Sequence, residues 1–403
     1  MRRRLIYLLV IALLAGLAGC GAAEPEATPE LAPDGRRILR LGLVNSAPEA
    51  RALASLFNAQ NKEYKVEIEE YKYGGSGKTP DDLTLELATG AAPDILVTET
   101  DSSFEGAQAS GRFVELTGLV DEFAPELVPC MYEALKAQDA VYALPYEFEV
   151  WTFLTQPSRV DGRESLTLEE AEQYAERLGE GAEVFQPWMT RTELFKRVVS
   201  FAAGKYIDWE AASCDFESEG FLELLGLCMG QRADDSPYPE GQLCLLESCL
   251  LTAENWFGGG IQSSCGEDYC FMGFPGQADG AQGWLTAGMC FYATAAGDTE
   301  GAMEFLRFAL SPKAQEQCES FPMLQSELDE RQETAVLTGL HKSSDAEKLD
   351  ALLNSGLASE NCPPTITSML IEEAQAYFAG DCTAEEAAAR MQDRVRTYLS
   401  EHS

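Results

Sequence analysis

The chain has 403 residues, 45% of them hydrophobic, and carries 67 Asp and Glu against 29 Lys and Arg, a formal charge of −38 at pH 7. The length predicts two or three domains, each able to bury its own core. The acidic balance excludes nucleic-acid binding by phosphate neutralisation and adhesion to anionic lipid through a basic face. The only histidines are His341 and His402. Their scarcity argues against His-based triads and multi-His metal sites, and leaves carboxylate chemistry open.

Arg2, Arg3 and Arg4 make a basic start, followed by an apolar or small-residue run from Leu5 to Ala18. That pattern predicts a secretory signal. The run is short for a spanning helix, which needs about 20 apolar residues. Its ending, Leu17-Ala18-Gly19-Cys20, resembles the bacterial lipobox. The resemblance implies cleavage before Cys20, diacylglycerol on its thiol and, in some organisms, an N-acyl chain such as palmitate. The alternative is an ordinary signal peptide that contains a cysteine. Residues 1–19 are thus expected to be a signal peptide, and 20–37 a lipidated cysteine with a flexible Ala-, Glu- and Pro-rich tether. Losing three arginines and no acid takes the charge from −38 to −41. The mature chain is expected outside the cytoplasm, held by lipid on the outer face of the bacterial cytoplasmic membrane.

Ile38 to Val44 is rich in apolar and β-branched residues and predicts a buried first strand. Asn45-Ser46-Ala47-Pro48 is a turn and helix start. Leu53, Leu56 and Phe57 give Glu49 to Asn58 helical spacing. Lys65 to Tyr71 alternates as a second strand, Gly74 to Gly77 is a loop, Asp81 to Ala88 is a second helix stopped near Gly90, and Pro93 to Val97 is a third strand. Such alternation predicts an α/β fold with a largely parallel sheet. Helical and irregular segments are expected to dominate beyond it. Helices are predicted over Leu168 to Leu178, Arg191 to Ala203, Glu219 to Met229, Thr299 to Leu310 and Met369 to Phe378. Gly258 to Gly260 breaks the chain, and Phe271 to Gly276 reads as a short strand entering a turn. Thr383 and Glu386 form a capping box for the last helix.

Of 12 cysteines, 11 remain if Cys20 carries lipid, an odd number that leaves at least one unpaired or paired outside the chain. The close pairs Cys244/Cys249, Cys265/Cys270 and Cys214/Cys228 lack zinc-ligand spacing. Export permits disulfides; the other reading is that they are buried small hydrophobes.

Six blocks then point to a family. They are Leu41-Gly42-Leu43-Val44 with its helix ending Leu56-Phe57-Asn58; Leu87 to Ile95; Ser110 to Leu116; Val141 to Pro145; Ala302 to Pro312; and Ala379 to Ala387. In this order, from about Ile38 to Glu401, they resemble the carbohydrate-type, family 1 extracellular solute-binding proteins of ABC importers. The resemblance implies a type II periplasmic-binding-protein-like fold with two lobes. Each would be a mainly parallel sheet flanked by helices, joined by a multi-crossing hinge with the ligand in the cleft. Carried over by block position, lobe one is 38–148 plus 286–324, and lobe two 149–285 plus 325–403. The implied partners are a sugar or oligosaccharide, the permease subunits and the membrane through Cys20. The chain is expected to be a monomer, to need no cofactor and not to be an enzyme.

Sugar sites combine aromatic platforms with polar edges. The candidate platforms are Trp256 before the glycine run, Trp188 at a helix opening, Trp284 near the second crossing, and Trp151, for which core packing is the other reading; Trp209 reads as structural. Polar candidates follow the strand ends: Asn45 and Ser46 after the first, Thr98, Glu99 and Asp101 after the third, and Glu147 at the hinge. Strand alternation puts Tyr146, Phe148 and Val150 on one face and Glu147, Glu149 and Trp151 on the other. Two other classes stand beside this one: a sensor or adhesin reusing the fold, and a secreted carboxylate-pair glycosidase.

Overall fold

A computed structural model of the chain describes residues 30–44, 47–72, 77–98, 104, 110–209, 211–238, 241–261, 268–276, 282–358 and 364–402. The first sheet is built from β1 (Arg37–Val44), β2 (Tyr64–Tyr71), β3 (Ile95–Thr98), β4 (Leu144–Pro145) and β12 (Cys290–Ala293), in the order β2-β1-β3-β12-β4. β1 pairs in parallel with β2 and β3, through the crossover helices α1 (Pro48–Gln60) and α2 (Pro80–Thr89). β12 enters antiparallel to both β3 and β4. The local reasons match the sequence. Thr79 and Asp82 cap α2 reciprocally, and Gly90 ends it in the left-handed region at φ 75°. β1 sends Leu39, Leu41 and Leu43 into one core, while Val44 packs in another with Tyr71 and Leu96.

The second sheet has seven strands. β5 (Glu147–Thr155) lies at its centre in the order β14-β11-β5-β9-β6, with β10 and β13 also pairing β5. The remaining ranges are β6 Glu183–Phe185, β9 Cys244–Leu251, β10 Cys270–Phe271, β11 Gly283–Ala287, β13 Phe321–Pro322 and β14 Leu357–Ala358. This sheet corrects two expectations. It is mixed, not mainly parallel: β9, β10, β11 and β13 all run antiparallel to β5, and only β6/β9 and β11/β14 are parallel. It also occupies a region expected to be mostly helical and irregular. β5 is buried on both faces, so Phe153-Leu154 and their neighbours show no hydrophobic alternation to mark a strand. Alternation still decides where its side chains go. Phe148, Val150 and Leu154 enter one core, and Trp151 and Phe153 the other.

The helices flanking this sheet follow their patterns closely. They include α5 (Leu168–Leu178), α6 (Arg191–Ala202), α7 (Glu219–Met229) and α14 (Ala384–His402). The box on α14 is present, with Thr383 N donating to Glu386 Oε2 at 3.0 Å and Glu386 N to Thr383 Oγ1 at 3.2 Å. α14 then buries Ala387, Ala388, Met391, Val395 and Leu399 on one face. α13 (Pro364–Phe378) starts five residues earlier than the apolar spacing marks. α8 (Ala253–Phe257) follows β9, α9 (Thr299–Ala309) packs on β12 and α1, and α10 (Pro312–Gln315) and α11 (Gln325–Leu337) come after it in the chain. Among the described residues no helix is long and apolar enough to cross a membrane.

Candidate functional site

The two sheets are joined where β4 runs into β5, where β11 turns into β12, and where the chain from α10 reaches β13. These passages lie side by side. Tyr146 N donates to Met289 O at 2.7 Å, Gly288 N to Glu147 O at 3.0 Å, and Pro322 sits opposite Glu147. Gly288 is small for a reason: a Cβ there would lie 3.1 Å from Glu147 Cγ.

A buried polar network fixes the junction. Gln315, fully buried, donates from Nε2 to Tyr146 O at 2.9 Å and to Ala309 O at 3.0 Å, while its Oε1 accepts Met323 N at 2.6 Å. Tyr146 Oη donates to Ala314 O at 2.6 Å. Arg331 reaches from α11 to the carbonyls of Gln315, Glu316, Cys318 and Ser320. These bonds satisfy backbone groups that burial would otherwise leave costly.

Carboxylates gather on this junction. Glu147 is 7% exposed, and its Oε2 accepts Ser320 N at 2.9 Å. Burial, reinforced by the charges of Glu49 and Glu149, pushes its carboxyl up to about 7 against the pull of the Ser320 amide. Glu149 accepts Ser320 Oγ at 3.0 Å and is also pushed up by burial. Glu319 is raised first by the charge of Glu49, then by burial, with Glu254 adding to it. Glu49 lies in the first turn of α1, against the first sheet, and Glu254 in α8, beyond the end of β9. Acids on β5, on α1 and α8, and in the segment before β13 therefore bear electrostatically on one another. None of these five has a salt-bridge partner among the described residues. Beside this junction, a groove of about 1100 Å³ opens between α8, α10 and α11, with Glu254, Phe257, Lys313 and Glu319 on its walls. No group of His, Cys, Asp and Glu among the described residues is arranged to hold a metal ion.

Of the candidates read from the sequence, Glu147 sits at this junction. Thr98 ends β3, buried, opposite Cys290. Cys20, Asn45, Ser46, Glu99 and Asp101 lie outside the described residues. The tryptophans scatter. Trp151 is fully buried between Phe201 and Trp284, with ring centroids at 4.9 and 5.0 Å, and its Nε1 donates to Ser248 Oγ at 2.8 Å. Trp284 is 6% exposed in the same stack. Trp256 is also fully buried, packed by Tyr269, Phe271 and His341, whose Nε2 donates to the Trp256 carbonyl at 2.7 Å. In this structure Trp151, Trp256 and Trp284 are thus core side chains and offer no open platform. Trp188 is half-buried, with the Arg197 guanidinium 5.0 Å from its ring centre. Sequence reading did not single out Glu49, Glu254, Gln315, Glu319, Ser320 or Arg331. The nearest signal was the alternation that placed Glu147 and Glu149 on one face of β5.

The fold defines the class. The chain has the two-lobe α/β architecture of ABC-transporter solute-binding proteins. It is similar to the sugar-binding protein MalE from the phytopathogen Xanthomonas citri, with TM-score 0.65 and 13% identity over 90% of this chain and 98% of that one. It is similar to the cyclic α-maltosyl-1,6-maltose binding protein of Arthrobacter globiformis, with TM-score 0.61 and 13% identity over 91% and 100% of the two chains. It is also similar to an ABC substrate-binding protein of Listeria monocytogenes in complex with cycloalternan, with TM-score 0.60 and 15% identity over 90% and 99%. No protein-family model and no curated protein matches the sequence significantly.

Proposed function

We propose that the chain is a non-catalytic, lipid-anchored receptor that captures a carbohydrate between its lobes and passes it to an ABC importer permease. The observation that carries this reading is the convergence of chain passages from both sheets on one junction, in a fold shared with proteins solved bound to cycloalternan, α-D-tagatose and D-mannitol. Carboxylates that accept hydrogen bonds suit a ligand rich in hydroxyls. A ligand touching both lobes stabilises the arrangement in which both touch it, and a permease can recognise that arrangement.

In this reading lobe one is 38–148 plus 286–324 and lobe two 149–285 plus 325–403. Glu147 supplies a polar edge at the hinge, and Asn45, Ser46, Thr98, Glu99 and Asp101 are the further candidates for polar contacts with the solute. Trp188, the one candidate tryptophan that is not buried, supplies the platform. Cys20 carries the lipid on the outer face of the cytoplasmic membrane. Calorimetry against a panel of sugars, peptides and polyamines tests the solute. A sugar is expected to bind, and a clear peptide hit with no response to any sugar would sink the carbohydrate reading. Intact mass of the mature chain tests the anchor: lipidation of Cys20 is expected, and a mass matching an unmodified Cys20 overturns it.

A further inference from the structure

We propose that Arg197, seated on the Trp188 ring, is an anion-recognising edge, and that the solute is a sugar carrying a carboxylate or phosphate group. This deepens the carbohydrate reading and rests on it. In a chain with 67 acids against 29 Lys and Arg, arginines find acceptors readily. Arg191, on the same helix α6, donates from Nε to Gln231 O at 3.0 Å and from Nη1 to Phe378 O at 3.1 Å. Arg197 does neither. Among the described residues its guanidinium has no hydrogen-bond acceptor and no ion-pair partner, and its Nε is buried without one. Glu193, one turn earlier on α6, is its natural helical partner, but Lys196 lies against that carboxylate at 4.0 Å.

Arg197 lies over Trp188 instead, with 5.0 Å from the guanidinium carbon to the ring centre. One face of the ring is thus taken, and what the pair presents is the guanidinium's edge. A guanidinium held by its face keeps a planar fork of N–H groups that matches the two oxygens of a carboxylate or phosphate. The Trp188 Nε1–H also has no acceptor among the described residues. Guanidinium and indole only donate, so the pair favours a group that only accepts. Both residues are half-buried, which strengthens such a contact over one in open water.

The topology places this pair toward the hinge. β5 leaves the hinge at Glu147, β9 runs antiparallel to β5, and β6 runs parallel to β9. The carboxyl end of β6 therefore points back to the hinge, and Trp188 comes just past it. Gln186 Oε1 accepts Ser248 N at 2.8 Å, and Ser248 Oγ accepts Trp151 Nε1 at 2.8 Å, which ties this turn to β9 and β5. Solutes collect at such strand ends. The acidity of the whole chain does not cancel the site, because charges beyond about 8 Å are largely screened at physiological salt.

Calorimetry on the full chain tests this with sugars that differ at the charged group. The carboxylate arm sets D-galacturonate against D-galactose, D-glucuronate against D-glucose, and trigalacturonate against its methyl ester. The phosphate arm sets D-glucose 6-phosphate against D-glucose. An anionic member is expected to bind at least about tenfold more tightly than its neutral counterpart, and the arm that responds identifies the group. R197Q is expected to abolish the preference. R197K, which keeps the charge without the fork, is expected to retain only part of it. Circular dichroism checks that both variants are folded. A neutral sugar bound as tightly as its anionic counterpart overturns the inference and leaves carbohydrate capture standing, as does a preference undiminished in R197Q. Silence from every sugar overturns both.

Discussion

In the Trp151→Ala protein, a slot the size of an indole opens between Phe201 and Trp284, whose rings now lie 4.9 and 5.0 Å from the Trp151 ring. Truncating a buried tryptophan costs about 3–5 kcal/mol. Each lost aromatic pair adds about 0.5–1.5 kcal/mol in part. Ser248 Oγ also loses the Nε1 donor at 2.8 Å, a further ~1 kcal/mol. These contributions overlap, so the expected loss is about 4–6 kcal/mol, large beside the ~5–15 kcal/mol that typically holds a domain. Trp151→Phe keeps a ring in the stack and gives up the hydrogen bond and some volume, for a loss of about 1.5–3 kcal/mol. Urea unfolding followed by circular dichroism measures both, and the loss falls on the transition of lobe two. Calorimetry on Trp151→Phe is expected to find sugar affinity unchanged. A Trp151→Ala loss below about 1.5 kcal/mol, together with abolished binding in Trp151→Phe, would refute the core assignment and restore Trp151 as a solute platform.

Glu147 should leave its mark on stability. Burial pushes its carboxyl up to about 7, above the ordinary glutamate range, so the folded chain is expected to bind more protons than the unfolded chain between about pH 4.5 and 7. Stability is therefore expected to fall as pH rises through that window, by a few kcal/mol, and E147Q should remove that slope in pH-dependent urea unfolding. Gly301→Ala would bring a Cβ to 2.5 Å from Leu39 Cδ2 and 2.6 Å from Tyr64 Cε1, where α9 meets the first sheet, so thermal unfolding should show a loss of about 1–3 kcal/mol. Asp94→Ala strips the acceptors from Arg40 N at 2.7 Å and Asp298 N at 2.8 Å, and denaturant unfolding should report a loss of about 2–4 kcal/mol. Thr383→Ala removes the N-cap of α14, and hydrogen exchange should show faster opening of its first turn, at about 1 kcal/mol.

The amino-acid sequence by itself determined the elements whose causes are local. The apolar run of β1, the glycine stop of α2, the box at Thr383 and the stripe of α14 each lie within a few residues of one another, and periodicity or capping chemistry marks them. It also set the acidity of the whole chain and the face of β5 that carries Glu147 and Glu149. The extent of the second sheet escaped, because most of β5 is buried on both faces and its later residues lose the alternation that would reveal a strand.

Only the tertiary structure decided what the chosen residues do. Trp151 meets a serine 97 residues away and a tryptophan on another strand, and that pairing makes it core. Glu147 meets Ser320 across 173 residues, and the charge of Glu49 bears on it from α1. Burial and charge at the junction are sums over these distant neighbours, and no window of sequence contains them. The net charge of −38 is a sum over the whole chain. At the hinge, folding turns a few of those acids into one another's environment.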